Sequence, residues 1–477
     1  MEKWMYVKLN RANYEYDVHS MIKAFYPEYQ VKVLTPESKL RFEGEDALGV
    51  EMEEQGAVIT IAGRKYSWRH REDSYKDGFK SFLYQTLEQH TGRSLPWGNL
   101  TGIRPTKLAY GMLEKEKSRQ EIMDFLQERH FVSRDKAQLS IDIARRERAI
   151  LSDVHYEDGY SLYIGIPFCP TTCLYCSFTS FPIAAFRGLT DAYIDCLIRE
   201  MTYVAECYSG KILDSVYIGG GTPTTLEPAQ LSRLLGGLKG LFDFRTVKEF
   251  TVEAGRADSI TREKLEVLYR HGVDRISVNP QTMNQKTLEL IGRRVDTKQV
   301  LEAYTLAREV GFSNINMDII LGLPGEESSD VQYTIDRIVE LEPDSLTVHS
   351  LAVKRASKLN QWVQENGVSM LRNTDETMRI AAEGASRMGM EPYYLYRQKN
   401  MSGNFENVGY ARPGKFGLYN ILIMEEVQTI VALGAGSITK RVYPGGRIER
   451  CDNVKDVAQY IERIDEMIER KKQLLED

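Results

Sequence analysis

Cysteine is scarce in this chain, with six residues in 477. Three of them, Cys196, Cys207 and Cys451, stand alone, which excludes a disulfide framework and reads as buried thiol packing. No stretch approaches the roughly 18 consecutive apolar residues of a membrane helix. The opening MEKWMYVKLNRANYEYD carries acids where a secretion signal has an apolar core. A cytoplasmic location is therefore expected. Positive charge is not in excess either, since 62 Lys and Arg face 68 Asp and Glu for a net charge of −6. That balance argues against broad nucleic-acid binding. Low-complexity tracts and fixed-period repeats are missing too. What remains, 42% hydrophobic and 27% charged residues, describes an ordinary globular protein. It is too long for one compact core, so two or three domains are expected.

Residues 1–71 alternate short β-rich runs (WMYVKL, YQVKVLT, LGVEM, AVITIAG) with one helical run near 17–26, the pattern of a small α+β domain. From 72 to 155 the period becomes helical: SYKDGFKSFLYQTLEQH, KLAYGMLEKEK, RQEIMDFLQERH and SRDKAQLSIDIARRERAIL. LPWGNLTGIRP, 95–105, breaks this helical connector with Pro and Gly and reads as a loop. From 156 to 352 six apolar runs, 161–167, 215–221, 249–255, 275–281, 314–322 and 345–351, are separated by helical stretches at 190–207, 228–241, 261–271, 284–292, 297–311 and 328–340. This alternation predicts a parallel sheet covered by helices. Six units are too few for a closed eight-fold barrel, so the α/β fold expected is a partial (β/α)6, TIM-like barrel. Functional residues gather at the C-terminal strand ends of such sheets, and Cys169, Gly219 to Thr222, Glu253, Gln281, Asp318 and His349 fall there. Residues 353–477 read as a loop-rich α/β extension closing on a charged helix. Its Tyr- and Gly-rich stretch 393–420 suits a lid or substrate wall.

The other three cysteines are ordered. PFCPTTCLYCSF, 167–178, spaces Cys169, Cys173 and Cys176 as C-x-x-x-C-x-x-C directly after the first barrel strand. A structural zinc site takes four protein ligands, and no fourth Cys or His lies nearby. Unrelated structural thiols do not explain so tight a spacing. A cuboidal iron–sulfur cluster is usually held by four cysteines, so three would leave one iron open to a substrate or cofactor.

The motif, with Tyr175 before the last cysteine, resembles that of the radical S-adenosylmethionine (SAM) enzymes. The resemblance implies a [4Fe–4S] cluster whose unique iron chelates the amino and carboxylate groups of SAM. One electron then cleaves SAM to methionine and a 5′-deoxyadenosyl radical. GGGTPT, 219–224, lacks the lysine and spacing of a phosphate loop; in the family this strand end binds the SAM amino group. From about 160 to 440, YIGIPFCPTTCLYCSF, GGGTPTTL, VNPQT, DIILGLPGE and NVGYARPG resemble the oxygen-independent coproporphyrinogen III oxidase family. They are most similar to its HemZ-type branch, which has an extra N-terminal region like residues 1–150.

The resemblance implies Cys169, Cys173 and Cys176 as cluster ligands. Tyr163, Tyr175, Gly220, Gly221, Thr222, Glu253, Gln281, Arg293, Asp318 and Ala352 match positions lining the sites of one or two SAM molecules. The implied reaction removes two propionate carboxyls of coproporphyrinogen III as CO₂, giving protoporphyrinogen IX. The implied partners are a tetrapyrrole substrate and an electron donor such as flavodoxin or ferredoxin. Arg256, Arg397 and Arg412 are candidates for pairing with substrate carboxylates. The chain also departs from the family pattern. Gly165 stands where the family usually has His, and Phe178 where the oxidases have a further Cys. Tyr419, Asn420, Ile423 and Met424 align with an HN..YW pattern. The haem-chaperone branch of the family uses the His that Tyr419 replaces. Radical modification of haem and radical modification of RNA are rival activities within the same superfamily. Against an RNA substrate, the basic stretch 102–150 also carries acids at i,i+4 spacing, as a solvated helix face does.

Overall fold

The computed structural model describes residues 3–39, 48–71, 74–176, 180–354, 357–398 and 405–476. The N-terminal sheet contains β1 (Lys3–Leu9), β2 (Tyr29–Leu34), β3 (Leu48–Met52), β4 (Gly56–Ile61) and β5 (Arg64–Arg69), in the order β2-β1-β3-β4-β5. β1 runs parallel to β2 and β3, and the rest is antiparallel. Alternation sends Val7, Leu9, Val31, Val33, Val50 and Ile59 into one core with helices Glu15–Phe25 and Tyr75–Thr91. The second helix starts at Ser74, whose side chain accepts from the Asp77 N–H, and ends at Gly92 in the left-handed region. RQEIMDFLQERH is α-helical only to Asp124 and continues as a π turn over Phe125–Arg129.

The second sheet supplies the barrel. β6 (Gly159–Ile166), β7 (Ile212–Gly220), β8 (Glu249–Gly255), β9 (Arg275–Val278), β10 (Ile315–Leu321) and β11 (Ser345–Ser350) lie side by side, all parallel. Their faces are covered by helices that include Thr190–Cys207, Pro228–Leu241, Thr297–Val310 and Ser328–Leu341. Ile164, Val252 and Ile276 are fully buried, which is why these strands read as apolar runs. Parallel pairing brings all six C-terminal ends to one rim.

The chain after 353 extends this sheet at both edges. β12 (Glu391–Tyr396) and β13 (Asn407–Ala411) add antiparallel strands beside β11, so the aperiodic stretch 393–420 holds more regular structure than its composition implies. β14 (Thr429–Leu433) returns to pair parallel with β6, followed by the hairpin β15 (Ile438–Val442) and β16 (Ile448–Asp452). No helix among the described residues is long and apolar enough to cross a membrane.

Candidate active site

After β6 the chain turns at Pro167, and Phe168–Cys169 pairs in parallel with Phe181–Pro182. Cys173 is buried, and Cys169 and Cys176 are half-exposed. The loop is held from both sides through Leu174. Its N–H donates to the Ile291 carbonyl at 2.9 Å, and its carbonyl accepts from the Leu359 N–H at 3.0 Å. Each sulfur has its own polar neighbour. Thr222 Oγ1 lies 3.5 Å from Cys169 Sγ, Arg256 Nη1 3.8 Å from Cys173 Sγ, and Ser180 Oγ 3.8 Å from Cys176 Sγ.

Burial pushes the Cys169 thiol up to about 11, against the lowering hydrogen bond from Thr222. A thiolate there needs a cationic centre to form. Among the described residues no three His, Cys, Asp or Glu side chains converge on a single metal ion. Three cysteine sulfurs on one loop, each with a hydrogen-bonding neighbour, fit the anionic ligands of an iron–sulfur centre, whose sulfurs are tuned by such contacts.

The glycine run at the end of β7 packs against this loop. A Cβ on Gly221 would stand 2.5 Å from the Phe168 carbonyl oxygen. The Gly221 and Thr222 N–H groups donate to the Ile166 and Phe168 carbonyls, both at 2.7 Å. Gly220, with φ +104°, would place a Cβ 3.0 Å from the Tyr163 hydroxyl. On the adjacent strand β8, Glu253 accepts from the Tyr217 hydroxyl at 2.5 Å. Burial pushes its carboxyl up to about 7, the Asp318 charge adds to the rise, and the tyrosine bond opposes it. Burial would also raise Asp318, but His349 (Nε2 3.7 Å away), Asn316 (2.6 Å) and Thr347 outweigh it and leave that carboxyl below its ordinary value.

Gln281 adopts φ +68°. Its N–H donates to the Asp318 carbonyl and its carbonyl accepts from the Ile320 N–H, both at 2.9 Å, while its buried Oε1 has no partner. Arg293 is 7% exposed; Nη1 donates to the Asn279 and Pro280 carbonyls and Nε is unpartnered. Tyr175 hydrogen-bonds to Cys173 and lies near Arg293, which also reaches Cys173. Ala352 lies half-buried two residues beyond β11.

The arginines expected to meet substrate carboxylates are engaged elsewhere. Arg256 is doubly bonded to Asp258, at 3.0 and 2.6 Å, and donates to the Thr171 carbonyl and hydroxyl at 3.0 and 2.8 Å. Arg397 is buried, and its Nη1 donates to the Leu100 carbonyl at 2.6 Å. Arg412 follows β13 opposite the N-terminal end of β11, with its N–H on the Asp344 carbonyl, at the far rim of the sheet. Nothing in the linear chain shows that Asp258 pairs with Arg256. Tyr217 was missed, although its position two residues before Gly219 puts it on the same strand face. Tyr419, on helix Leu418–Glu425, is 7% exposed and stacks on Tyr217 with ring centroids 4.5 Å apart. Gly165 is buried next to Ile164, which pairs with Leu433 of β14. Phe178 lies outside the described residues.

The sequence profile of the radical SAM superfamily matches residues 163–338. The fold is similar to that of the Escherichia coli coproporphyrinogen III oxidase HemN, a radical SAM enzyme, with a TM-score of 0.53 and 24% identity over 67% of this chain and 73% of that one. The matched profile and the fold are those of a radical SAM protein, a class that works with a [4Fe–4S] cluster and SAM. The chain is 40% identical, over 84% of its length, to the oxygen-independent coproporphyrinogen-III oxidase-like protein HemZ of Bacillus subtilis, and covers 82% of it. It is 31% identical over 64% of its length to the heme chaperone HemW of the same organism, covering 76% of that protein. The chain belongs to the HemZ family of oxygen-independent coproporphyrinogen-III oxidase-like proteins.

Proposed function

We propose that the chain is a radical SAM oxidoreductase acting on a tetrapyrrole, removing two propionate carboxyls of coproporphyrinogen III without oxygen to give protoporphyrinogen IX. The observation that carries this reading is the cysteine loop, each sulfur with its own hydrogen-bonding neighbour, on the same rim as Glu253 and Asp318. The substrate class comes from the relatives named HemZ and HemN. Cys169, Cys173 and Cys176 would hold three irons of the cluster, leaving the fourth for SAM. Cluster and SAM together would supply a 5′-deoxyadenosyl radical able to take a hydrogen atom from a propionate β-carbon, after which loss of CO₂ and of one electron to a one-electron acceptor would complete each vinyl group.

Around them, Tyr163, Tyr175, Gly220, Gly221, Thr222, Glu253, Gln281, Arg293, Asp318 and Ala352 would line SAM. Gln281 Oε1 and Arg293 Nε offer buried hydrogen-bonding capacity that no protein group satisfies, which is where a polar ligand gains most. Asp318, held ionised, suits a cationic or hydroxyl donor. An electron carrier such as flavodoxin or ferredoxin would act as donor, in the cytoplasm.

The likeness to HemW keeps a haem-carrier reading in the test. Tyr419 speaks against it, because the residue that replaces the chaperone's histidine is locked in a stack. Anaerobic incubation with coproporphyrinogen III, SAM and a reductant should release two CO₂ per product and yield a divinyl porphyrinogen. SAM cleavage without CO₂, joined to tight haem binding, would replace the enzyme by the carrier. Steeply salt-dependent tRNA binding would point to RNA instead.

A further inference from the structure

β8 carries one carboxylate near each end, and the helix Leu418–Glu425 joins them. Glu249, its first residue, accepts from the backbone N–H groups of Leu418 at 2.5 Å and Tyr419 at 3.4 Å. Its carboxyl thus meets the positive end of that helix. The helix carries Tyr419, whose ring lies 22° from the plane of Tyr217 at 4.5 Å. Tyr163 stands 6.0 Å from the first ring and 6.2 Å from the second, also near-parallel. The Tyr217 hydroxyl then donates to Glu253 Oε1 at 2.5 Å, back on β8. Gly219 leaves room for this bond, since a Cβ there would come within 2.8 Å of the Tyr217 ring and 2.9 Å of the Glu253 carboxyl.

We infer that Tyr217 is a positioning residue for the Glu253 carboxylate, and that Tyr419 acts through it, so that the helix Leu418–Glu425 takes part in SAM binding without lining the SAM site. The inference rests on the proposal that Glu253 lines that site. The stack holds the Tyr217 ring in place, so its hydroxyl stays aimed at Oε1 of a carboxyl that also accepts from the Gly220 N–H. Asp318 on β10, His349 on β11, Tyr163 on β6 and Tyr419 are the other titratable groups facing this carboxyl. Of all these, Tyr217 makes the short bond that favours the anion.

The test measures SAM binding to the anaerobically reconstituted full chain, by equilibrium dialysis across pH and by the change in the EPR signal of the reduced cluster when SAM is added. Tyr217→Phe keeps the ring and removes one charge-assisted hydrogen bond, so the SAM Kd should rise about tenfold at neutral pH. The pH midpoint of binding should also move upward, a shift that packing damage alone does not produce. Tyr419→Leu should raise Kd by a smaller factor, and Tyr419→Phe, which restores the ring, should reverse that rise. This pair serves if Tyr217→Phe does not fold. Unchanged affinity and pH midpoint in Tyr217→Phe, or equal affinities in the two Tyr419 variants, overturn the inference when Glu253→Gln does weaken binding. If Glu253→Gln itself binds SAM normally, the assignment of Glu253 to the SAM site falls and the inference with it.

Discussion

Arg256 Nη1 lies 3.8 Å from Cys173 Sγ while the same guanidinium is fixed by Asp258 and by Thr171 of the cysteine loop. One buried cation therefore ties the end of β8 to the loop and faces a sulfur that must become anionic to bind iron. Arg256→Ala should weaken the loop by about 1.5–3 kcal/mol, the range for hydrogen bonds to charged groups. It should lower iron and sulfide per chain after reconstitution, with Arg256→Lys partly restoring both. Full iron loading in the alanine variant would remove Arg256 from the site.

Gln281 holds a left-handed backbone conformation that side chains other than glycine rarely adopt. Gln281→Gly should relieve that strain and stabilise the SAM-free protein by about 1 kcal/mol, read as a higher Tm. It also deletes Oε1, so SAM affinity should drop. A variant both less stable and unchanged in affinity would show that the strain serves neither purpose.

Lys471 and Glu200 form a fully buried ion pair at 2.6 Å, which locks helix Ile464–Leu475 onto helix Thr190–Cys207. Asn453, Tyr460 and the Gly434 N–H also donate to Glu200. Lys471→Met strands a buried carboxylate and should cost about 3–5 kcal/mol in urea unfolding. Adding Glu200→Gln should recover part of the loss, whereas additive losses would mean that the pair is not coupled.

The pH dependence of stability should carry the mark of Glu253. Its carboxyl titrates near 7 in the folded chain against an ordinary 4.5, chiefly through burial. The native state then binds more protons than the unfolded one in that interval, so stability falls as pH rises from about 4.5 to 7. Glu253→Gln should flatten this part of the profile, measured as Tm in SAM-free protein. An identical slope in the variant would assign the titration to another group.

Much of the barrel was legible because parallel strands buried on both faces must be apolar. INMDIIL of β10 and SLTVHS of β11 stand out between amphipathic helices, and Thr190–Cys207 and Pro228–Leu241 begin and end where their periodicity does. β5, RKYSWR, escaped notice because only Tyr66 and Trp68 turn toward the core from an otherwise polar edge strand. β12 and β13 were hidden for the opposite reason. Their tyrosines and glycines look irregular until Tyr394 is seen packed over Gly409.

The sequence by itself determined the order of the six barrel strands and the helices between them, the three-sulfur loop after β6 and the polar residues at the strand ends, because each depends on spacings of a few residues. Only the tertiary structure decided that β14 returns beside β6, that Arg256 lies against Cys173 and Asp258, and that Tyr419 stacks on Tyr217. Those contacts join residues tens to hundreds of positions apart. Backbone register and the competition among buried polar groups for partners settle them, and neither leaves a periodic trace in the chain.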